Sequence, residues 1–308
     1  MVTLLCFGFG YSAEHYVAAH GRKFDRVIGT MRGEERAVEL KASHAGHRAG
    51  RIEALLFDGV QASPELESAI ADADDILVSV PPTESGDPVL AACGEALSRA
   101  EKLRAIAYLS TIGVYGDRGG AWVDEETPPH PDSGRSGARL AAERAWLTFG
   151  ERHDAGVAVL RLAGIYGPAQ NALVQVASGK ARRVVKPGQV FNRIHVGDIA
   201  QTIDAAFTRH ASGIFNVADD EPSPAADPIV FAAQLMGVKP PPEIPFAQAA
   251  QTMSPMALSF WQECRRVRNA KLKRELGVAL HYPTYREGLK ALFEEKYSSS
   301  PLSRGRMS

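Results

Sequence analysis

The chain has 308 residues, with 35 basic and 36 acidic side chains and an apolar fraction of 45%. This length allows one large α/β domain or two interleaved ones, and the near-zero net charge gives no reason to expect nucleic acid or an anionic membrane as a partner. No apolar run approaches the roughly 20 residues of a membrane span, and no signal-peptide pattern is present, so we expect a soluble cytoplasmic protein.

Cysteine and histidine usage gives little support for a disulfide framework or a metal site. Cys6, Cys93 and Cys264 are too few and too widely spaced for either, and we interpret them as reduced thiols. His44 and His47 lie close together but lack a nearby cysteine or acidic partner, so we expect no metal there.

The first half of the chain alternates short apolar runs with helical patterns, which is typical of a parallel sheet with crossover helices. Strands are predicted at 2–7, 26–30, 53–57, 75–80, 105–110 and 157–162, and helices at 12–19, 34–40, 64–71, 88–100 and 136–152. The unbroken Val, Ile and Leu runs fit strands that are covered on both faces, as in a doubly wound sheet.

The pattern loosens after residue 168 and predicts a smaller C-terminal substrate lobe. Helices are predicted at 171–178, 198–208 and 229–236, and a strand at 213–217. We assign a dinucleotide-binding domain to 1–168 and 192–220, the substrate lobe to 169–191 and 221–297, and a disordered tail to 298–308.

The junction between the first strand and the first helix carries a glycine-rich sequence, G-x-G-x-x-A. Gly8 permits a tight turn, Gly10 lets the backbone approach a pyrophosphate, and the small Ala13 lets the helix pack closely on the strand. Free amides at the helix start favour an anion there. The loop therefore predicts dinucleotide binding of the Rossmann type, and its predicted contacts are Gly8, Phe9, Gly10, Tyr11 and Ser12.

The end of the second strand predicts which dinucleotide binds. An NAD site usually places an acidic residue there, whereas this chain has Thr30 and Arg32. Thr30 can donate to a 2′-phosphate and Arg32 can pair with it, so we predict NADP over NAD. Alternatively, Arg32 is a solvated loop residue. Asp58 is a candidate acceptor for the adenine amino group or an ordinary turn residue.

Five later segments, taken in order, resemble the extended short-chain dehydrogenase/reductase family, which includes sugar-nucleotide epimerases and dehydratases. The segments are LSTIGVYGD at 109–117, DEETP at 124–128, LRLAGIYGP at 160–168, RIHVGDIA at 193–200 and GIFNVA at 213–218. The resemblance implies a nicotinamide cofactor and a site built on Ser/Thr, Tyr and Lys. The further predicted cofactor contacts are Ser79, Val80, Pro81, Thr111, Arg139 and Gly164.

The resemblance breaks at the Tyr-x-x-x-Lys pair, because no tyrosine in the chain has a lysine four residues later. Aligning the long helix with the family places Arg135 at the tyrosine and Arg139 at the lysine. Arg139 keeps a charge and several donors, but Arg135 cannot act as a general acid or base near pH 7. The predicted catalytic set is Thr111, Tyr115, Arg135 and Arg139, although Thr111 could instead cap the strand end and Tyr115 could be structural.

Arg135 and Arg139 lie one helical turn apart, so both could face the cleft and bind an anionic substrate, or they could form a solvated helix start. The loops at 86–87 and 116–120 are interpreted as flexible segments at the cleft mouth. Six basic residues within 265–274 are interpreted as a solvated helix face, with a phosphate-bearing partner as the alternative.

The sequence thus predicts an NADP-dependent oxidoreductase or epimerase/dehydratase-like enzyme acting on a small or anionic carbonyl, alcohol or sugar-like substrate. The alternative is an NADP-binding redox sensor without turnover, and a lyase or isomerase on the same scaffold stays open. Resemblance also suggests a homodimer formed through the helices at 88–100 and 136–152.

Overall fold

The computed structural model describes residues 1–43 and 52–298. The strands are β1 Thr3–Phe7, β2 Arg26–Met31, β3 Ile52–Leu56, β4 Asp75–Val78, β5 Ala105–Thr111, β6 Trp122–Val123, β7 Gly156–Leu162, β8 Gly164–Tyr166, β9 Arg183–Val185, β10 Arg193–His195, β11 Gly213–Val217, β12 Glu243–Pro245 and β13 Arg266–Val267. The helices are α1 Tyr11–His20, α2 Glu34–Ser43, α3 Pro64–Asp72, α4 Pro88–Ser98, α5 Gly134–His153, α6 Ala172–Ala177, α7 Val196–Thr208, α8 Ala226–Leu235, α9 Phe246–Ala250, α10 Pro255–Gln262, α11 Ala270–Leu276 and α12 Tyr285–Ser298.

Seven strands form one parallel sheet in the order β11-β7-β5-β4-β1-β2-β3. The chain leaves β1 toward β2 and β3, then returns to the other side of β1 and continues outward from β4. The order of the strands therefore reverses between β1 and β4. In open parallel sheets, ligands bind at such a reversal, outside the carboxyl ends of the strands.

Helices cover both faces of the sheet because alternate side chains of a strand point to opposite faces. In β1, Leu4 and Cys6 join the core that includes residues of α1, α7 and α11. Leu5 and Phe7 join the core that includes residues of α3, α4 and α5. All five β1 residues are buried, as the continuous apolar run predicts.

The remaining short strands and helices build a smaller layer beside the carboxyl ends of β5 and β7. Three pairs of two- or three-residue strands (β8 with β10, β9 with β12, β6 with β13) hold together segments that are distant in sequence. A third apolar cluster joins residues of α6, α8 and α12. The sequence pattern did not predict these short strands, nor α9, α10 and α12.

The predicted doubly wound α/β fold is confirmed, and each predicted strand and helix of the main sheet matches an observed element within a few residues. Among the described residues, no helix is long and apolar enough to cross a membrane. His44, His47 and all but the first residue of the predicted disordered tail lie outside the described residues.

Candidate functional site

The glycine-rich loop lies at the carboxyl end of β1, where the strand order reverses. Gly8 has φ +84°, and a Cβ there would lie 2.7 Å from Ser79 Oγ, so only glycine fits without strain. Ser79 Oγ in turn donates to the Gly8 carbonyl at 2.7 Å. Among the described residues other than its two chain neighbours, no atom lies within 4 Å of the position that a Cβ on Gly10 would take. The backbone at Gly10 is therefore open to close approach, which fits a dinucleotide diphosphate.

The start of α1 supplies the electrostatics of this loop. Gly10 is the N-cap residue and provides no side-chain cap, so the first amides of the helix are not capped by a side chain. The Tyr11 hydroxyl donates to the Pro168 carbonyl at 2.8 Å and ties the helix start to the loop after β8. Ser12 is buried in the first turn of the helix.

Two predicted cofactor contacts, Thr30 and Phe9, pack between the glycine-rich loop and β2 instead of facing the cleft. Thr30 is 1% exposed, and its Oγ1 accepts from the Gly8 amide at 2.9 Å. The Phe9 amide donates to the Thr30 carbonyl at 3.0 Å, and the Phe9 ring packs on Gly29. The prediction that Thr30 binds a 2′-phosphate directly is therefore wrong, because its side chain is enclosed between the loop and β2.

Arg32 and Asp58 lie at the carboxyl side of β2 and β3. Arg32 is exposed and, within the part of the chain that the structure describes, pairs with no carboxylate. Asp58 Oδ1 accepts from the Val60 amide at 2.8 Å, which is the turn interaction that the sequence left as an alternative. Its second oxygen does not take part in that bond. Val80 is half-buried and Pro81 is exposed just after β4.

A cavity of about 340 Å³ lies at the carboxyl ends of β5 and β7 and brings together four of the predicted residues. Thr111 comes from the end of β5, Arg135 and Arg139 from the first turns of α5, and Gly164 from β8. Its other walls include Val190, Phe191 and Asn192, and the segment from Ser259 to Arg265 closes it.

The two α5 arginines differ in how firmly they are held. Arg139 Nη1 donates to the Tyr108 hydroxyl and to the Leu109 carbonyl, each at 3.0 Å. Arg135 is exposed, and its guanidinium lies 5.6 Å from the centre of the Phe260 ring. Arg139 is thus a fixed positive charge in the cavity wall, and Arg135 is an adaptable one at its rim.

Thr111 both caps a local turn and faces the cavity. Its Oγ1 accepts from the Gly113 amide at 3.1 Å, at the start of the 3₁₀ turn Ile112–Tyr115. A hydroxyl that accepts in this way keeps its hydrogen for donation. The structure thus shows the cap that the sequence left as an alternative, and the cap leaves the hydrogen of the hydroxyl available to an oxygen in the cavity. The catalytic role of Thr111 stays a prediction.

Tyr115 is a structural residue, and its prediction as a catalytic residue is corrected. The side chain is fully buried, and its hydroxyl donates to Asn216 Oδ1 at 2.8 Å. The Arg161 guanidinium lies 4.8 Å from its ring centre. Burial raises the pKa of Tyr115 despite this nearby positive charge. Tyr115 is absent from the residues that line the cavity with Thr111.

The loops interpreted as flexible are anchored. Asp87 is buried and accepts from the Val89 and Leu90 amides and from Trp146 Nε1. In the 116–120 loop, the Arg118 and Gly120 amides donate to the Cys264 carbonyl. These hydrogen bonds connect the loop to the far wall of the cavity and make it part of a fixed frame.

Sequence reasoning missed two groups of cavity residues. Ser133 Oγ donates to Ser136 Oγ at 3.1 Å, and both serines line the cavity at the start of α5. Their position beside Arg135 was the only signal that could have indicated them. Glu263 and Arg265 approach from the far end of the chain, and Arg265 is buried, which corrects the interpretation of all six basic residues as a solvated face. Lys273 and Arg274 of α11 do fit that interpretation, since both are exposed.

A larger cavity of about 1150 Å³ lies at the amino ends of β5, β7 and β11. It contains none of the predicted site residues and lies at the edge opposite to the one where parallel α/β sheets bind ligands. We therefore assign the functional site to the smaller cavity.

Comparison with known proteins identifies the scaffold. A model described as the NAD dependent epimerase/dehydratase family matches residues 87–218, which include Thr111 and both α5 arginines. The chain therefore carries a segment that matches this family, over less than half of its length. The resemblance of the five sequence segments to extended short-chain dehydrogenases/reductases is thereby confirmed, and members of this group bind a nicotinamide cofactor.

Individual relatives agree on the fold. A conserved protein of unknown function from Silicibacter pomeroyi is 43% identical, with a TM-score of 0.85 over 96% of this chain and 99% of that one. The dTDP-glucose 4,6-dehydratase of Bacillus anthracis, solved with NAD, is 17% identical, with a TM-score of 0.75 over 97% and 98% of the two chains. A 3-diazoavenalumate denitrifying reductase from Streptomyces is 27% identical over 202 residues, which are 62% of this chain and 66%, just under two thirds, of the relative.

Proposed function

We propose that this protein is an NADP(H)-dependent oxidoreductase that acts on a small anionic carbonyl compound or alcohol. The observation that carries the proposal is the cavity lined by Thr111, Arg135 and Arg139, in which the Thr111 hydroxyl keeps its hydrogen for donation. A carbonyl oxygen suits the hydroxyl donor, and a carboxylate or phosphate suits the two cations. The reductase among the relatives supports this class of reaction.

The preference for NADP rests on Arg32. An acidic residue that would bind ribose hydroxyls is missing at the end of β2, and Arg32 is exposed there without a carboxylate partner among the described residues. A guanidinium in this position can form charge-assisted hydrogen bonds with a 2′-phosphate. Because Thr30 is enclosed, we assign the discrimination between the two cofactors to Arg32.

The chain's own residues would orient the substrate and move one proton. The bound cofactor supplies or accepts the hydride. Thr111 donates to the reacting oxygen, and the fixed charge of Arg139 stabilises negative charge that develops beside it. Arg135 cannot supply a proton. The hydroxyls of Ser133 and Ser136 form a short donor chain from exposed Ser133 to the cavity, and we assign proton delivery from water to this chain.

Cofactor binding is tested by titrating the protein with NADPH and NADH while nicotinamide fluorescence is followed. We expect NADPH to bind more tightly, and Arg32→Ala to weaken NADPH by about tenfold or more, the loss of one charge-assisted contact, without changing NADH. Arg22→Ala is the matched control, because Arg22 is also an exposed arginine of the same domain. Equal affinities of the wild-type protein for NADPH and NADH would contradict the preference.

The second candidate function, a redox sensor that binds NADP(H) without turnover, is favoured by the missing tyrosine. Absorbance of NADPH is followed with a panel of oxo acids and their uncharged esters. Turnover of the acids that is lost in Thr111→Val supports the enzyme. Tight NADPH binding with no turnover across the panel, and unchanged binding in Thr111→Val, supports the sensor.

A further inference from the structure

One arginine of the basic segment near the C-terminal end of the chain, Arg265, is buried in the wall of the cavity. Arg265 is 9% exposed and lines the cavity of Thr111, whereas Arg268, three residues later, is exposed and stacks on Trp122. Burial of an arginine requires partners for its charge and donors. The contacts of Arg265 meet this requirement only in part.

One side of the Arg265 guanidinium is fully used. Its Nη1 donates to the Gly116 carbonyl and to Glu263 Oε2, the latter at 2.7 Å. The donors on the other side have no such partners. Nε is buried without a partner in the described structure, and Nη2 donates to no described residue. Nε and Nη2 form the edge of a guanidinium that binds a carboxylate through two parallel hydrogen bonds.

The backbone on both sides of Arg265 is held by hydrogen bonds to the side chains of Asn192 and Asp117. Asn192 Nδ2 donates to the Arg265 carbonyl at 3.0 Å, and Asn192 Oδ1 accepts from the Val267 amide at 2.9 Å. The Cys264 amide donates to Asp117 Oδ1 at 2.7 Å. These contacts fix the segment on both sides, so the unpaired guanidinium edge is held in a pre-organised position.

The charges around Arg265 favour a monoanion. Glu263 already offsets part of its positive charge, and a second negative charge on the ligand would lie close to this carboxylate. The rest of the cavity adds an apolar surface, with Leu162, Val190 and the rings of Phe191 and Phe260 among its walls. These features suit a carboxylate attached to an apolar body, and the two rings in the wall favour an aromatic or unsaturated one.

We propose that Arg265 is the specificity-determining residue of the substrate cavity and binds the carboxylate of a small aromatic or unsaturated acid through its Nε and Nη2 edge. This inference rests on the proposed function for the position of the site, and it names the substrate class. The carboxylate is then bound by Arg265 itself, while Arg135 at the rim and Arg139 in the wall contribute positive charge to the cavity.

The test uses benzoate as the probe, benzamide as its uncharged analogue and inorganic phosphate as the alternative anion. Binding to the full chain is measured by calorimetry in the presence and absence of saturating NADP. We expect benzoate to bind, benzamide to bind at least tenfold more weakly, and phosphate to compete poorly. Arg265→Lys, which keeps the charge but loses the fork, should weaken benzoate about tenfold, and Arg265→Met should weaken it further.

Arg268→Lys is the matched control and should leave benzoate affinity unchanged. NADPH affinity of each variant reports whether it is folded, because the dinucleotide loop lies outside the altered contacts; if Arg265→Met does not fold, Arg265→Lys decides. Wild-type binding of NADPH without benzoate binding overturns the inference and leaves the proposed cofactor in place. Equal benzoate affinity in the wild type and both Arg265 variants, or preference for phosphate, also overturns it. Benzoate binding that depends on Arg265 in a protein that binds neither pyridine nucleotide overturns the proposed function instead.

Discussion

Glu143 and Arg161 form an ion pair between α5 and β7, and each side chain is only 1% exposed. Arg161 Nη2 donates to Glu143 Oε2 at 2.7 Å, and Arg161 Nε donates to both carboxylate oxygens at 3.2 Å. Ser110 Oγ also donates to this carboxylate. Because Ser110 precedes Thr111, Glu143 connects the helix that carries the cavity arginines to the strand that carries the hydroxyl.

Replacing Glu143 with leucine tests how much this connection stabilises the fold. The substitution leaves a buried guanidinium without its counter-ion and Ser110 without its acceptor. Breaking one side of a buried pair costs about 3–5 kcal/mol. For a chain of this size, we expect Tm to fall by roughly 6–10 °C, at about 2 °C per kcal/mol. In the double variant Glu143→Leu/Arg161→Leu, much of the loss should be recovered, because no uncompensated charge remains.

Free energies of unfolding are measured by chemical denaturation and Tm by calorimetry. Glu95→Leu is the control, since Glu95 pairs with Arg99 on the surface, where the two side chains are 84% and 60% exposed. That change should cost less than about 1 kcal/mol. The reasoning is refuted if Glu143→Leu costs no more than Glu95→Leu, or if the double variant is as unstable as the sum of its single changes.

Gly10→Ala should weaken NADPH binding at least tenfold and leave Tm unchanged. Gly8→Ala should weaken binding and also lower the free energy of unfolding by about 1–2 kcal/mol, because Gly8 has a positive φ; equal effects of the two changes on Tm would contradict this. Thr111→Val should lower kcat about 100-fold or more, while Tyr115→Phe should change kcat less than twofold and lower stability by about 1 kcal/mol; a large loss of kcat in Tyr115→Phe would restore its catalytic role. Burial raises the pKa of Asp219 from 3.8 to about 8. Between these two pH values the folded protein binds a proton that the unfolded chain has released, so the stability that this proton contributes at low pH is lost as pH rises toward about 8. Asp219→Asn should flatten that decline in urea titrations at several pH values, and an unchanged slope would contradict the assignment.

The main sheet could be predicted because its signals are local. Each strand is a short apolar run, and helix starts such as Asp87-Pro88 and Ser63-Pro64 carry their caps in adjacent residues. The glycine loop is likewise read within six consecutive residues. The strands of two or three residues were missed, because a periodic pattern needs more positions than they contain.

Side-chain direction at the site was less predictable than the positions of the elements. Thr30 and Arg32 are two residues apart, and the sequence predicts the same role for both, yet Thr30 is buried under the loop and Arg32 is exposed. Tyr115 follows the cavity residue Thr111 by four positions but turns into the core toward Asn216, 101 residues later. Which way a side chain points depends on packing partners that the local sequence does not name.

The order of residues alone was sufficient for the doubly wound architecture, the dinucleotide loop and the loss of the tyrosine and lysine pair, since these depend on neighbouring positions and residue identity. Folding was needed to bring Arg265 to the Gly116 carbonyl across 149 positions and to bury its Nε without a partner among the described residues. The physical reason is that burial and hydrogen-bond satisfaction are properties of packed surfaces, and such surfaces exist only after distant segments have met.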